Sequence, residues 1–212
     1  MATVILVMYV LAAYLIGSIP FGLLIGKLNG KDVRKEGSCN IGATNVTRVV
    51  GKWWGKLCFL CDFLKGFLPV FFTMRVFYPD DGLLAALTAL AVVLGHVFPV
   101  YLGFKGGKGV STAAGAALAL CPLAVLIAGA VWVLVFLTSR YVSLASLSAA
   151  VALPLSAWLL HFFAGAKFKL PLPVGILLIL FAVLTFWRHR SNIGRLMNGT
   201  ENRFERKKGE EK

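Results

Sequence analysis

Apolar stretches long enough to cross a bilayer follow one another from end to end of this chain. Lipid offers no hydrogen bonds, so a spanning backbone must satisfy itself, as a helix or a closed barrel. A helix needs about 20 apolar residues to cross about 30 Å of hydrocarbon, whereas a barrel strand needs about half that. The stretches here have helix length. They are read as 4–26, 54–77, 82–101, 109–121, 122–139, 142–164 and 171–188. Taken as one helix, Gly109–Ser139 would measure about 46 Å, too long for an ordinary span. Pro122 supplies the break, leaving a short Ala- and Gly-rich helix followed by a longer one. The expected fold is an all-α integral membrane bundle of about seven transmembrane helices, a single domain over residues 1–212.

Charge orients the bundle. With Met1 outside, the inner segments hold Lys27, Lys31, Arg34, Lys35, Arg48, Lys52, Lys56, Lys105, Lys108, Arg140 and the basic tail from Arg188. The outer segments hold only Arg75, Lys167 and Lys169. The asymmetry predicts the N-terminus outside and the C-terminus in the cytoplasm. The N-terminus is not expected to be a cleavable signal, since no basic residue precedes Lys27 and the run from Val4 to Ile25 is long enough to span.

The net charge of +13 accompanies 58% apolar residues. No soluble domain is left to present a nucleic-acid surface, so membrane lipid headgroups and phosphorylated substrates are the expected anionic partners. Cys58 and Cys61 lie three apart with no second pair or histidine beside them, so no metal site is expected.

Three polar stretches fall on the cytoplasmic side of this topology: 32–48, 103–112 and 188–203. The first is dense in uncharged hydrogen-bonding groups (Ser38, Asn40, Thr44, Asn45) and contains Arg48, whose fork can grip two phosphate oxygens. In the second, Lys105, Gly106, Gly107, Lys108 and Gly109 open a helix at Val110. Position 102 is Leu, so this is not a nucleotide P-loop. The glycines and lysines still suit an anion nest at a helix N-terminus. The third carries His189, Arg190, Asn192 and Arg195 at the end of the last span, with His189 and Asn192 on one helix face. A solvated loop, a flexible basic loop and a lipid anchor are the plainer readings of these three stretches. Neither Ser38 and Asn40 nor His189 and Asn192 is needed for them.

Inside the membrane, Asp62 and Lys65 stand i, i+3 on the second span. An intrahelical pair lowers a cost of about 2.5–3.5 kcal/mol for each charge alone, and a structural pair is favoured over a substrate contact. His96 either borders the site or bonds a neighbouring carbonyl.

Five motifs carry a resemblance. They are Gly17-Ser-Ile-Pro-Phe-Gly22, Gly37-Ser-Cys-Asn-Ile-Gly-Ala-Thr-Asn45 with Arg48, Gly103-Phe-Lys-Gly-Gly-Lys-Gly109, Arg140-Tyr-Val-Ser-Leu-Ala-Ser146 and His189-Arg-Ser-Asn-Ile-Gly-Arg-Leu196. In this order, and nearly end to end, the chain closely resembles the bacterial acyl-phosphate:glycerol-3-phosphate acyltransferase family. It departs at Cys39, where the family usually has glycine. The resemblance implies a seven-helix, multi-pass enzyme of the bacterial inner membrane with its active site facing the cytoplasm. It implies transfer of a fatty acyl group from acyl phosphate to glycerol 3-phosphate, giving lysophosphatidic acid and phosphate, the first acylation of phospholipid synthesis. Catalytic roles fall on Ser38, Arg48, Lys108, His189 and Asn192, with no cofactor and no metal. The soluble enzyme that makes acyl phosphate is a candidate partner.

The residues agree with that chemistry. Acyl phosphate is already activated, and its leaving group is stabilised by cations and hydrogen bonds from Arg48, Lys108, Ser38 and the Gly106–Gly109 amides. The acceptor's phosphate calls for more positive charge, for which Lys105, Arg190 and Arg195 are candidates. No His-x4-Asp pair is present. The hydroxyl proton goes either to His189 or to a phosphate oxygen of the donor. The second is favoured, because a histidine between Arg188 and Arg190 resists becoming a cation. The alternative reading is a membrane transporter of a phosphorylated metabolite, which would need polar groups in the outer half of the bundle.

Overall fold

The computed structural model describes residues 2–77, 81–164 and 168–204. Lys167 and the tail beyond Phe204, both used in the charge argument, lie outside the described residues. Among the described residues ten α-helices follow in order: α1 Ala2–Ser18, α2 Phe21–Leu28, α3 Ala43–Val49, α4 Lys52–Phe72, α5 Gly82–Val97, α6 Val110–Leu120, α7 Pro122–Ser139, α8 Val142–Phe163, α9 Leu172–Arg188 and α10 Arg190–Met197. No strand occurs among the described residues.

Among the described residues five stretches are long and apolar enough to cross a membrane: Val4–Leu28, Lys52–Phe77, Gly82–Leu102, Pro122–Ser139 and Val142–Phe163. The count rises to six only if α9 and α10, bent by 59° at His189, are taken as one broken span. The remaining apolar stretch, α6, has 11 residues. At about 16 Å it reaches only halfway through the hydrocarbon. The break after it lies at Cys121, and Pro122 opens α7 at its first turn, where a missing N–H costs nothing.

Small residues set the helix spacing, as they must where lipid is as apolar as leucine. A Cβ on Gly66 would collide with the backbone of Thr112, and one on Gly115 with that of Phe63, so α4 and α6 cross almost backbone to backbone. The core between α5, α6, α8 and α9 is filled by Val92, Val97, Ala116, Ala157 and Leu178. Leu126, Leu134, Phe162 and Val183 point outward, as lipid-facing residues should.

Asp62 and Lys65 form the expected pair, 2.7 Å apart and almost wholly buried. Their purpose is visible at Pro20, which separates α1 from α2. The break takes the Ile19 carbonyl out of the regular i to i+4 ladder; Phe21 N–H donates to it at 3.1 Å, and Lys65 Nζ donates to it at 2.7 Å. His96 joins the pair, with Nδ1 3.5 Å from Asp62 Oδ1.

Candidate active site

The loop between α2 and α3 is organised by one side chain. Asn45 is buried at the start of α3, where its amide nitrogen donates to Val33 O at 2.8 Å, Asn40 O at 2.9 Å and Glu36 O at 3.1 Å. Its oxygen accepts from the Ser38 N–H at 2.8 Å. With its hydrogen bonds turned inward, Asn45 shapes the loop. Asn40 likewise uses Oδ1 to accept from Gly42 N at 2.9 Å. The turn holds Cys39 in the left-handed region at φ 55, which is where glycine is at ease. Arg48, one turn after Asn45, sits exposed at the rim, its guanidinium 5.3 Å over the Phe204 ring.

The Gly106–Gly109 turn differs from a free anion nest. Gly106 N–H donates to Val97 O at 3.2 Å and Gly107 N–H to His96 O at 3.1 Å, so both amides are spent on the end of α5. Arg188 Nη2 donates to Gly106 O at 3.0 Å from the other side. Gly109, left-handed at φ 82, caps α6. The amides open to an anion are therefore those of the first α6 turn, which have no intrahelical acceptor; Val110 and Ser111 line the cavity there. Lys108 reaches across to donate to Asn192 Oδ1.

At the α9–α10 bend, His189 Nδ1 donates to Thr185 O at 2.8 Å, which leaves the Nε2 lone pair uncommitted on a neutral ring. The segment after α10 then folds back. Glu201 accepts from Ser143 Oγ at 2.9 Å, Asn192 Nδ2 at 2.6 Å and Arg195 Nε at 2.7 Å. Phe204 N–H donates to Arg140 O at 3.1 Å and fastens this strap to the α7–α8 corner.

These parts enclose a polar chamber of about 160 Å³. Ser38, Asn40, Thr44, Arg48, Lys108, Gly109, His189, Asn192 and Arg195 all border it, as does the inward-turned Asn45. Lys105 and Arg190 do not: Lys105 is exposed, and Arg190 is exposed and lies over Trp187, 5.2 Å from its ring. Charge density marks a membrane face without saying where a side chain points. The sequence reading passed over Glu201, Ser143 and Ser146. Ser143 and Ser146 were within reach as part of the Arg140–Ser146 motif. A second, apolar cavity of about 540 Å³ adjoins the chamber, shares Phe59, Val110 and Trp132 with it, and continues past Ala128, Gly129 and Leu153.

Arg48, Lys108 and Arg195 face one carboxylate, Glu201. Among the described residues neither Arg48 nor Lys108 forms an ion pair. Burial lowers Lys108 to about 8, against the attraction of Glu201. Burial, then the nearby Lys108 charge, lowers His189 to about 4. Burial works against the Glu201 charge, but the bonds from Asn192, Ser143 and Arg195 outweigh it and hold the group below the usual carboxylate range.

Fold and site together define a polytopic membrane protein whose cation-rich chamber opens onto an apolar groove. Similar proteins make the class specific. The glycerol-3-phosphate acyltransferase family matches residues 7–199. The chain is 49% identical to the glycerol-3-phosphate acyltransferase of Aquifex aeolicus over 92% of its own length and 97% of that protein's. It is 47% identical to that of Geobacter sulfurreducens over 91% and 94%. Two crystal structures of PlsY (YgiH), an integral membrane glycerol 3-phosphate acyltransferase, share the fold. The glycerol 3-phosphate form superposes with TM-score 0.86 at 46% identity, covering 94% of this chain and 96% of that one. The lysophosphatidic acid form gives 0.82 at 47%, covering 94% and 95%. This chain belongs to the glycerol-3-phosphate acyltransferase family.

Proposed function

We propose that the protein transfers a fatty acyl group from acyl phosphate to glycerol 3-phosphate, giving lysophosphatidic acid and inorganic phosphate. One observation carries the reading: a small chamber with three cations and one acid adjoins a larger apolar cavity. That is the shape of an amphiphile with a phosphorylated head. The acyl chain lies along Phe59, Trp132, Ala128 and Leu153, and the phosphates lie between Arg48, Lys108 and the first amides of α6.

The acceptor hydroxyl oxygen attacks the acyl carbon, an ester C–O bond forms, and the bond from that carbon to the phosphate oxygen breaks. Charge grows on the leaving phosphate, where Lys108, Arg48 and Ser38 oppose it. The hydroxyl proton passes to a donor phosphate oxygen. A ring with pKa about 4 is poorly matched to a base working near neutral pH. His189, carrying its proton on Nδ1, presents Nε2 as an acceptor and orients the hydroxyl. Asn192, fixed by Glu201, holds the Lys108 ammonium.

The polar face is proposed to lie in the cytoplasm of the bacterial inner membrane, with the N-terminus outside, as the arginines and lysines at that face favour. A Ser191→Cys variant should react with an impermeant thiol reagent only after cells are opened; labelling of intact cells would reverse the topology. A soluble enzyme that makes acyl phosphate is proposed as a transient partner there, and failure to co-sediment with proteoliposomes would remove it. The reaction itself is tested with purified protein, palmitoyl phosphate and labelled glycerol 3-phosphate. Label should enter lysophosphatidic acid with palmitoyl phosphate and not with palmitoyl-CoA. Equal transfer from the thioester would overturn the choice of donor.

A further inference from the structure

Asp62, Lys65 and His96 lie below the chamber and have no place in the reaction just described. The ammonium of Lys65 is committed to Asp62 and to the Ile19 carbonyl. His96 is different, because it touches the loop that carries Lys108. The His96 and Val97 carbonyls accept the Gly107 and Gly106 N–H groups. The imidazole fills the space a side chain at position 107 would need: a Cβ on Gly107 would overlap Nε2. The opposite edge of the ring, Nδ1, faces Asp62 Oδ1 at 3.5 Å. Asp62, Val97 and Gly107 are buried, and His96 is 3% exposed at the chamber floor. Lys108 is the next residue after this contact.

We propose that Asp62 and His96 are positioning residues for the acyl transfer: Asp62 fixes the imidazole, the imidazole seats Gly107, and the seated turn places the Lys108 ammonium against phosphate. The inference rests on the phosphate-binding role of Lys108. It explains why a glycine stands directly before Lys108 although its amide does not face the chamber. Gly107 answers to a neighbouring side chain: having no Cβ, it leaves room for the His96 imidazole.

The coupling between positions 96 and 107 gives the test. Wild type, Gly107→Ala, His96→Ala and the double variant are purified in detergent. Each is assayed for kcat and for the KM of glycerol 3-phosphate, and for the rise in Tm that glycerol 3-phosphate alone produces. Gly107→Ala should lose about 10- to 100-fold in kcat/KM, the scale of a misplacement of about 1 Å, chiefly through KM. In the His96→Ala background the same substitution should add less than about twofold, since the new methyl enters the vacated space; uncoupled sites would multiply their losses. A second pair does not depend on His96→Ala folding. His96→Gln keeps a donor for Asp62 and should stay within about tenfold of wild type, whereas His96→Leu keeps the volume alone and should fall further. Multiplicative losses in the double variant, or equal losses for Gln and Leu, would overturn the proposal. A wild type that gains Tm with glycerol 3-phosphate, with that gain lost in Gly107→Ala and no further reduced in the double variant than in His96→Ala, yet transfers no acyl group, would sink the reaction and leave the positioning intact.

Discussion

The molecule holds two clusters of charge, and they are built differently. Asp62, Lys65 and His96 lie among helices, with the acid and the ammonium 2.7 Å apart and the leftover donor on a backbone carbonyl. Arg48, Lys108, Arg195 and Glu201 lie where loops meet, with three cations to one acid and two of those cations unpaired among the described residues. A buried cluster that balances itself needs nothing from outside. One with surplus positive charge is incomplete until an anion arrives. The difference separates scaffold from site more sharply than burial does, for both clusters contain buried charges.

The largest expected effect tests that surplus. Lys108→Ala should lower kcat/KM by about 10²–10³ while leaving a folded, extractable protein. Arg48→Ala should be milder, because the exposed rim lets water screen it. Near-normal turnover in Lys108→Ala would erase the contrast between the clusters. Lys108→Arg should also be poor, since a fork does not replace a point charge in so narrow a turn.

Glu201 is the hinge between the two kinds of cluster, an acid that organises the surplus cations. Glu201→Ala leaves Asn192, Ser143 and Arg195 without their acceptor and should lower stability by about 1–3 kcal/mol, with a matching fall in Tm and in turnover. An unchanged Tm would show that the strap is not held by this residue.

A pH series sharpens the account of Lys108. With its pKa lowered to about 8, the ammonium is charged below that pH and neutral above it. The value of kcat/KM, which reports the free enzyme, should therefore fall as pH rises through about 8. A flat profile from pH 7 to 10 would contradict the charged role. His189, lowered to about 4, should give no rising limb near the reference histidine pKa of about 6.5, measured at saturating substrate. His189→Asn should retain measurable turnover. A dead His189→Asn enzyme with a histidine-like limb would make His189 the base.

The smallest effect is at Cys39. A left-handed non-glycine residue costs about 1–2 kcal/mol, partly offset by the greater chain entropy glycine gives up. Cys39→Gly should raise Tm slightly at unchanged kcat, and a lowered Tm would show that the turn is not strained there.

The apolar runs made the bundle legible, because hydropathy and helix length are local properties. Pro122 marked its break for the same reason. Charge and motif density brought the three polar stretches to one face, and Ser38, Arg48, Lys108, His189 and Asn192 do border one chamber. What stayed hidden was set by distance in the chain. Glu201 reads as one more acid in a polar tail until Ser143, from the α7–α8 corner, is seen to donate to it. The orientations of the Asn45 amide and of the Gly106 and Gly107 N–H groups stayed hidden for a related reason: a hydrogen-bonding group announces its chemistry in sequence, but the direction in which it points belongs to the tertiary structure.

The central claim is that the surplus charge around Lys108 is an anion site that exists before any chemistry. Calorimetric titration of glycerol 3-phosphate into the detergent-solubilised wild type and Lys108→Ala, without acyl donor, tests it most directly. The account predicts saturable binding to the wild type and at least about tenfold weaker binding to the variant, a difference of about 1.4 kcal/mol. Equal affinities for the two proteins would contradict it.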